Sequence, residues 1–520
     1  MLSLAGGIRT RRVSNRVSYV ARYPGRVAAG LGAAGVLYRV VLVLTGLPQT
    51  NSDEATMGLM ARHILAGVRA PVFFYGQHYM GALEAYLAVP VFAVVDSSTV
   101  ALRVSAIVMY AAFLAAMYHL VRELFSPWFA VAITGLLALG SDRVVKDELI
   151  AGGGYPEINL LAAALLLLAV HLARTPRGPW WYAAFGLGAG LALWSDYLVA
   201  PYLAGAVAVL LLGRKRGLWA AVVGLLAGLA PVIAHDLTTA PRDRSLRVLF
   251  DLSRAGQDQL AGTSPADHLH GGVLVGVPMA TGLCRPSVCD APTLAWGAIL
   301  VALLVVAAVL AVRQWRGDPV VHCGRLVLAL AGLATVVLYA RSPAAVLTPI
   351  ESARYLSCLL ISVPVALWPL WTVAARRTPV AVPAAALLLA VAATSTLATV
   401  LVPAQPRDRT TRPLVEALDR AGIRAFYSDY WTCGRVVFAT RERLTCAVLG
   451  DDLRAGFDRY RPYRDAVAAA PDAAYALPIG STVDRAFAAH LAAAGIPART
   501  EDAAGYRIYR PATPAGVPLP

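Results

Sequence analysis

Long apolar segments alternate with short polar turns from the N-terminal region to about residue 402. Many of these segments have about 18 or more residues and few charges, which is enough to cross the hydrocarbon core of a bilayer. The pattern therefore predicts a mainly α-helical, polytopic membrane protein with about eleven transmembrane helices. The expected spans are 27–47, 100–121, 127–140, 156–173, 181–195, 198–213, 217–236, 292–312, 322–340, 354–373 and 379–402.

The apolar segment 81–95 is shorter than the others. No basic residue marks a cytoplasmic turn after it, at Asp96-Ser97-Ser98. We expect a helix that lies on the outer membrane surface, and a short span is the alternative.

Arginines set the expected orientation. Six of them precede the first span, and further basic residues occupy turns such as 214–216 and 376–377. Because positively charged segments stay in the cytoplasm, residues 1–26 are expected inside, as a basic N-terminus without the pattern of a cleavable signal peptide. The net charge of +15 is spread over these turns, so we expect no nucleic-acid partner. The outer segments are then 48–99, 141–155, 195–196, 237–291, 341–353 and the tail after 403.

The chain changes character near Pro403, after which charge rises and no spanning segment follows. Helical patterns at 414–418 and 483–494 alternate with strand patterns at 423–427 and 506–509, which predicts an extracytoplasmic α/β domain over 403–520. The expected domains are thus 1–26, a membrane domain 27–402 that includes the outer loop 48–99, and 403–520. Nothing in the tail matches a nucleotide-binding loop.

The six cysteines fit this topology. Cys284 and Cys289 share one outer segment, and Cys433 and Cys446 share the tail, so both pairs face a compartment where disulfides persist. We expect two disulfides. A metal site is the alternative, although no histidine stands at zinc-like spacing from either pair. The remaining cysteines, Cys323 and Cys358, are expected as buried small apolar residues.

Asp53 and Glu54 are adjacent carboxylates a few residues beyond the first span. At the outer face such a pair offers a proton acceptor and a second charge that orients it or holds a cation. The competing interpretation is that these acids only cap the helix that follows, since Ser52 and Asp53 are good N-cap residues.

Further candidates lie in the expected outer segments. The run 73–81 mixes aromatic and hydrogen-bonding side chains, although interfacial aromatics often serve only as anchors. Glu157 begins an apolar span, where a carboxylate is costly unless it is used or caps the helix. Arg354 is placed to pair with a lipid phosphate through its planar fork. The candidates outside the Asp53-Glu54 pair are Gln77, His78, Tyr79, Glu84, Tyr155, Glu157, Asp196, Arg354 and Tyr355.

Several short motifs resemble one known superfamily. Ser52-Asp53-Glu54-Ala55 begins the first outer loop, Tyr-Gly-Gln-x-Tyr-Met-Gly follows at 75–81, Gly-Gly-Tyr-Pro-Glu stands at 153–157, and Arg-Tyr-Leu at 354–356. Together they resemble GT-C membrane glycosyltransferases, and within them bacterial relatives of the dolichyl-phosphate-mannose–protein mannosyltransferases (glycosyltransferase family 39). The resemblance covers about 27–402 and is strongest at 51–84.

The resemblance implies a GT-C type fold in a bacterial plasma membrane and transfer of a sugar from a polyprenyl-phosphate carrier to an acceptor glycan, lipid or protein at the outer face. It implies that the pair Asp53-Glu54 is the catalytic centre. Within the pair, we expect Asp53 as the general base and Glu54 as a residue that orients it or binds the acceptor. Inversion at the anomeric carbon follows if one base activates the acceptor directly. Donor and phosphate contacts are assigned to Arg354, Tyr355, His78, Tyr79 and Gln77. Acceptor or cavity contacts are assigned to Tyr155, Glu157, Asp196 and Glu84.

No cofactor is expected, and the resemblance favours a reaction without a metal. The alternative is a divalent cation bound by the carboxylates of Asp53, Glu54, Glu157 and Asp196. Two other function classes stay open at this point: a transporter or flippase for lipid-linked saccharides, and a non-catalytic membrane scaffold. Intramembrane charges fit a transporter as well, but no two-fold internal repeat of the kind many transporters carry is evident.

Overall fold

A computed structural model describes residues 23–175, 177–213, 217–260, 262–284, 289–315, 317–375, 411–513 and 515–518. Helices dominate this part of the chain, and a five-stranded sheet lies near its C-terminal end. The chain forms two compact units. The first unit comprises Met1–Leu42, Ile107–Leu149 and Tyr155–Val402, and the second comprises Val43–Ala106, Ile150–Gly154 and Pro403–Pro520.

Among the described residues, 5 helices are long and apolar enough to cross a bilayer, or up to 8 spans if each bent helix pair is counted as one. The chain is a multi-pass membrane protein, as its pattern predicted. The long helices are Pro24–Leu44, Thr99–Leu124, Tyr155–Arg174, Ala291–Arg313 and Pro319–Ala340. The bent pairs are Pro127–Leu139 with Arg143–Leu149, Leu218–Gly228 with Ala230–Thr238, and Pro349–Ile361 with Val363–Val373.

The expected spans up to residue 373 all fall on described helices, whereas the expected span 379–402 lies outside the described residues. The segment 81–95 forms the helix Leu83–Val94. Two further apolar helices, Pro179–Ser195 and Ala200–Leu210, belong to the first unit, and a short 3-10 turn, Tyr197–Val199, precedes the second of them. Shorter helical segments are Pro241–Asp243, Ser245–Asp258, Pro265–Leu269, His270–Val275, Gly276–Ala280 and Pro343–Leu347.

A buried arginine anchors the first spanning helix, and the sequence patterns did not predict its partner. Arg39 is fully buried and forms an ion pair of 2.7 Å with Glu148. It also donates to the carbonyl of Ala138 at 2.8 Å and lies 3.7 Å above the ring of Tyr110. A charge inside a membrane domain is costly unless it is paired, so this network fixes the first helix within its unit.

The second unit joins the first loop, residues 48–99, to the C-terminal domain through one hydrophobic core. Met57, Phe74 and Phe92 from the loop belong to the same buried cluster as Phe426 and Phe438 from the tail. The helix Ser52–Leu65 packs against Tyr430–Ala439. The remaining tail helices are Thr411–Arg420, Arg461–Ala469 and Thr482–Ala493.

The sheet of this unit consists of β1 Ala425–Ser428, β2 Thr445–Val448, β3 Ala474–Pro478, β4 Ala498–Ala503 and β5 Tyr506–Pro511. Its strand order is β2-β1-β3-β5-β4. Strand β1 pairs in parallel with β2 and β3, whereas β5 pairs antiparallel with β3 and β4. The expected α/β tail is therefore confirmed, and its first and last predicted strands correspond to β1 and β5.

Both expected disulfides are present, Cys284–Cys289 and Cys433–Cys446. Cys323 and Cys358 are free and buried, as predicted. The second bond ties the helix Tyr430–Ala439 to β2, and so fixes the element that packs on the helix of Asp53.

Replacing Cys433 and Cys446 together by serine should therefore destabilise the C-terminal domain by about 3 kcal/mol, because the unfolded chain regains the freedom of the closed loop. Chemical denaturation of the purified protein, followed by tyrosine and tryptophan fluorescence, measures this loss. The matched control is Cys323→Ser, which breaks no disulfide. Equal midpoints for the double variant and the wild type would contradict the expectation.

Candidate functional site

Asp53 lies in the first turn of the helix Ser52–Leu65. The residue that caps this helix is Asn51, whose side-chain oxygen accepts a hydrogen bond from the Glu54 amide at 2.8 Å. The interpretation that Ser52 or Asp53 provides the cap is therefore wrong, and the Asp53 carboxylate is available for other contacts.

Two residues of the C-terminal domain hold that carboxylate. Arg459 donates to Oδ1 of Asp53 from Nη2 at 2.7 Å and from Nε at 3.1 Å. The hydroxyl of Tyr430 donates to the same oxygen. Among the described residues, no hydrogen bond reaches the second oxygen, Oδ2. The carboxylate is thus fixed through one of its two oxygens.

Glu54 has a different environment from its neighbour. It is fully buried, and each of its oxygens accepts a hydrogen bond of 2.7 Å from the guanidinium of Arg103. Arg103, also buried, donates in addition to the carbonyl of Leu47 at 3.1 Å. The geometry fits a residue that anchors the start of the Asp53 helix better than one that binds an acceptor directly.

Glu84 fastens the glycine run beside Asp53. Its Oε2 accepts a hydrogen bond of 2.6 Å from the Gly152 amide and one of 3.4 Å from the Gly153 amide. Gly152 has a φ of +121°, and an added Cβ would lie 3.1 Å from the Asp53 carbonyl carbon. The run therefore supports the Asp53 backbone, and only glycine satisfies both its conformation and its space.

Gly152→Ala should consequently lower the turnover of the sugar transfer that the sequence motifs indicate. The new methyl group would displace the Asp53 backbone, and alanine would also strain the backbone at position 152. Gly480→Ala is the matched control: its φ is +73°, but nothing lies within 4 Å of an added Cβ. We expect the control to cost about 1 kcal/mol of stability and to leave kcat unchanged. Equal effects of both substitutions on kcat would show that contact with Asp53 is irrelevant.

The motif Tyr75-Gly76-Gln77 forms a tight turn. The Phe74 amide donates to the Met80 carbonyl at 2.8 Å, and Gln77 donates back to the Phe74 carbonyl at 2.9 Å. Gly76 has a positive φ of +76°. His78 stacks on Phe73, and both His78 and Tyr79 are half-buried. The side-chain oxygen of Gln77 is buried and makes no hydrogen bond within the described residues, which leaves it available to a ligand.

A carboxylate of the C-terminal domain, Glu442, connects this turn to the tail. Glu442 accepts hydrogen bonds from His63 at 2.9 Å and from the hydroxyl of Tyr463 at 2.8 Å, and His63 also bonds the hydroxyl of Tyr75 at 2.8 Å. The bond from His63 and the other donors lower the pKa of Glu442 to about 2. Because the pKa of Glu442 is lower in the folded protein than its usual value of 4.5, the ionised carboxylate stabilises the unit fully above about pH 4.5. This stabilisation is lost as the pH falls towards 2.

The first unit brings a separate group of candidates together. Arg354, Tyr355 and Asp196 all interact electrostatically with the hydroxyl of Tyr155. The guanidinium of Arg354 lies 5.6 Å from the centre of the Tyr355 ring. Asp196 occupies the turn after the helix Pro179–Ser195, where burial raises its pKa to about 7. Glu157 is buried in the first turn of its helix.

Sequence reasoning missed Tyr430, Arg459 and Arg103. No motif marks any of them, because each is distant in sequence from the residue it contacts. Tyr430 and Arg459 lie more than 300 positions from Asp53. Arg103 lies 49 positions from Glu54. The only local signal is a dense run of aromatic and basic residues at 457–464. In the part of the chain that the structure describes, no group of three or more His, Cys, Asp or Glu residues is arranged for a metal ion.

Comparisons with known proteins bear on the fold. A protein-family model described as dolichyl-phosphate-mannose-protein mannosyltransferase matches residues 81–235, less than a third of the chain. No curated protein matches the sequence. Two crystal structures of ArnT from Cupriavidus metallidurans resemble most of the chain. The one bound to undecaprenyl phosphate has 15% identity and a TM-score of 0.57, over 93% of this chain and 97% of that chain.

The apo form has 14% identity and a TM-score of 0.52, over 93% of this chain and 98% of that chain. At such low sequence identity, the structural similarity is evidence for the fold alone. The chain therefore has a GT-C fold, and the resemblance to GT-C membrane glycosyltransferases that the motifs indicated is confirmed at that level.

Proposed function

We propose that this chain, with its GT-C fold, is a glycosyltransferase that moves a sugar from a polyprenyl-phosphate donor to an acceptor hydroxyl. The observation that carries the proposal is the Asp53 carboxylate, fixed through Oδ1 and open at Oδ2. A general base must reach the proton that it removes with a defined geometry, and a carboxylate held in this way meets that need. ArnT, whose fold this chain shares, binds undecaprenyl phosphate, which supports a donor of the same chemical class.

In the proposed reaction, Oδ2 of Asp53 removes the proton of the acceptor hydroxyl. The acceptor oxygen then attacks the anomeric carbon, the bond from that carbon to the phosphate oxygen breaks, and the polyprenyl phosphate leaves with the electron pair. Direct attack by one activated acceptor inverts the anomeric configuration. Glu54 supports this step indirectly, because its ion pair with Arg103 fixes the helix turn that carries Asp53.

The negative charge that grows on the leaving phosphate needs a cation. Arg354 is the candidate, with Tyr355 beside it and Tyr155 in electrostatic range. A planar guanidinium binds two phosphate oxygens at once, and such electrostatic stabilisation is often the largest single contribution to catalysis. We place this chemistry at the outer face of a bacterial plasma membrane, with the C-terminal domain outside and a glycan, lipid or protein as acceptor.

Arg354→Ala should weaken donor binding as well as turnover, because the phosphate is charged before the reaction as well as in the transition state. Binding of a labelled polyprenyl phosphate to the purified variant, with sugar transfer measured separately, tests this. We expect the donor Kd to rise about tenfold or more, which corresponds to about 1.4 kcal/mol.

The matched control is Arg341→Ala, which removes an exposed arginine side chain. The hydrogen bond that the Arg341 carbonyl accepts from the Gln257 side chain is kept, because the backbone does not change. Unchanged donor affinity in Arg354→Ala would remove this arginine from the donor site.

A further inference from the structure

We infer that Tyr430 and Arg459 of the C-terminal domain are positioning residues for the Asp53 base, and that this domain is part of the catalytic unit. The inference rests on the proposed function, in which Asp53 removes the acceptor proton. In this arrangement, the loop 48–99 supplies the base, and the C-terminal domain supplies the two residues that orient its carboxylate.

All three hydrogen bonds to the carboxylate converge on one oxygen. Nε and Nη2 of Arg459 approach Oδ1 of Asp53 together with the Tyr430 hydroxyl, and Arg459 also donates to the Tyr430 oxygen. Burial, followed by the charge of Asp53, raises the pKa of the Tyr430 phenol, so this group stays a donor at neutral pH. A carboxylate bound in this way cannot rotate freely, so the orientation of its other oxygen, Oδ2, is fixed as well.

Arg459 is itself held on several sides. Its guanidinium lies 4.3 Å from the centre of the Phe74 ring and 5.3 Å from that of Phe457, at distances typical of cation–π contacts. Nη1 donates to the carbonyl of Tyr75 at 3.2 Å. Only 10% of the side chain is exposed. Such a supporting shell distinguishes a positioned arginine from a surface ion pair, which would contribute little.

The tail also fixes Tyr430 from its backbone side. Ser52, the residue before Asp53, donates its hydroxyl to the Tyr430 carbonyl at 2.7 Å. Gly434, one helical turn later, lies so close to Ser52 that an added Cβ would stand 2.4 Å from its hydroxyl oxygen. The two helices that carry the base and its tyrosine are therefore packed without intervening side chains at this point.

The experiment compares Arg459→Ala, Arg459→Lys and Tyr430→Phe with the wild type in full-length purified protein, using labelled sugar transfer from a polyprenyl-phosphate sugar. We expect kcat to fall about 10²-fold for Arg459→Ala, because a base misplaced by about 1 Å loses that much. The KM for donor and acceptor should change by less than about threefold, since the residues do not bind substrate in this account. Arg459→Lys should recover only part of the loss, because lysine lacks the planar fork.

Added guanidinium ion should partly restore kcat in Arg459→Ala and leave Tyr430→Phe unchanged. A purely structural role would not produce this rescue. The control variants are Arg443→Ala, which removes another tail arginine from its ion pair with Asp419, and Tyr475→Phe, which removes a buried hydroxyl that donates to the Val517 carbonyl. Both should keep the wild-type kcat.

Three results would overturn the inference. A higher kcat in Arg459→Ala would make the arginine a blocking group. A loss of kcat in Arg459→Ala that guanidinium does not restore, accompanied by a fall in Tm, would make the role of the arginine purely structural. Wild-type kcat in Arg459→Ala, while Asp53→Asn is inactive, would refute the positioning role and leave the proposed function intact. If Asp53→Asn itself kept wild-type kcat, the failure would lie in the proposed function.

Discussion

Asp53→Asn is expected to lower kcat for sugar transfer by about 10²-fold or more and to leave donor affinity within about twofold of the wild type. Asparagine keeps the shape of the side chain and removes its capacity to accept a proton. Donor affinity survives because the phosphate contacts are assigned to the separate Arg354 group. Steady-state transfer of labelled sugar and equilibrium binding of polyprenyl phosphate give the two quantities.

Asp451→Asn is the matched control, because Asp451 is an exposed carboxylate in the tail. Its kcat should equal that of the wild type. If Asp53→Asn kept near-normal turnover, Asp53 would not be the base, and Glu54 and Glu157 would be the next carboxylates to test.

Arg103→Leu is expected to destabilise the protein by about 3–5 kcal/mol, because it leaves the buried Glu54 carboxylate without its cation. The side chains of this ion pair are 1% and 0% exposed, so no water replaces the lost hydrogen bonds. Denaturant unfolding in detergent micelles measures the effect. Combining Arg103→Leu with Glu54→Leu should lose less stability than the single change, since the double variant buries no unpaired charge.

The control for this prediction is Arg412→Leu, which breaks an ion pair with Glu416 in which 90% and 59% of the side chains are exposed. That substitution should cost about 0.5 kcal/mol or less. If Arg103→Leu cost no more than Arg412→Leu, the pair would not anchor the Asp53 helix.

The membrane helices, the two disulfides and the class of the tail could be predicted because each depends on local patterns. Apolar segments of sufficient length, cysteines in matching compartments and alternating periodicities are visible within short windows of sequence. The helix Thr99–Leu124 was expected at 100–121 and the strand Tyr506–Pro511 at 506–509, so even the boundaries of strongly patterned elements came within a few residues.

The environment of Asp53 could not be predicted in the same way. Arg459 and Tyr430 reach it from more than 370 positions away in the chain, and ion pairs of that kind follow from tertiary packing. Glu54 appeared equivalent to Asp53 in sequence, but its neighbours differ: Arg103 binds both oxygens of Glu54, whereas Arg459 and Tyr430 bind one oxygen of Asp53. Gly152 lies against the Asp53 backbone, and the amides of Gly152 and Gly153 donate to Glu84, contacts that no local sequence pattern indicates.

Double labelling of the donor distinguishes sugar transfer from transport of the intact lipid. Purified full-length protein in liposomes is given a polyprenyl-phosphate sugar, labelled in both the sugar and the lipid, together with an envelope acceptor fraction. We expect labelled sugar to appear on the acceptor in an amount equal to that of the released polyprenyl phosphate, and we expect neither product with Asp53→Asn. Movement of the intact labelled lipid between leaflets, with the bond from sugar to phosphate unbroken, would contradict it and identify a transporter instead.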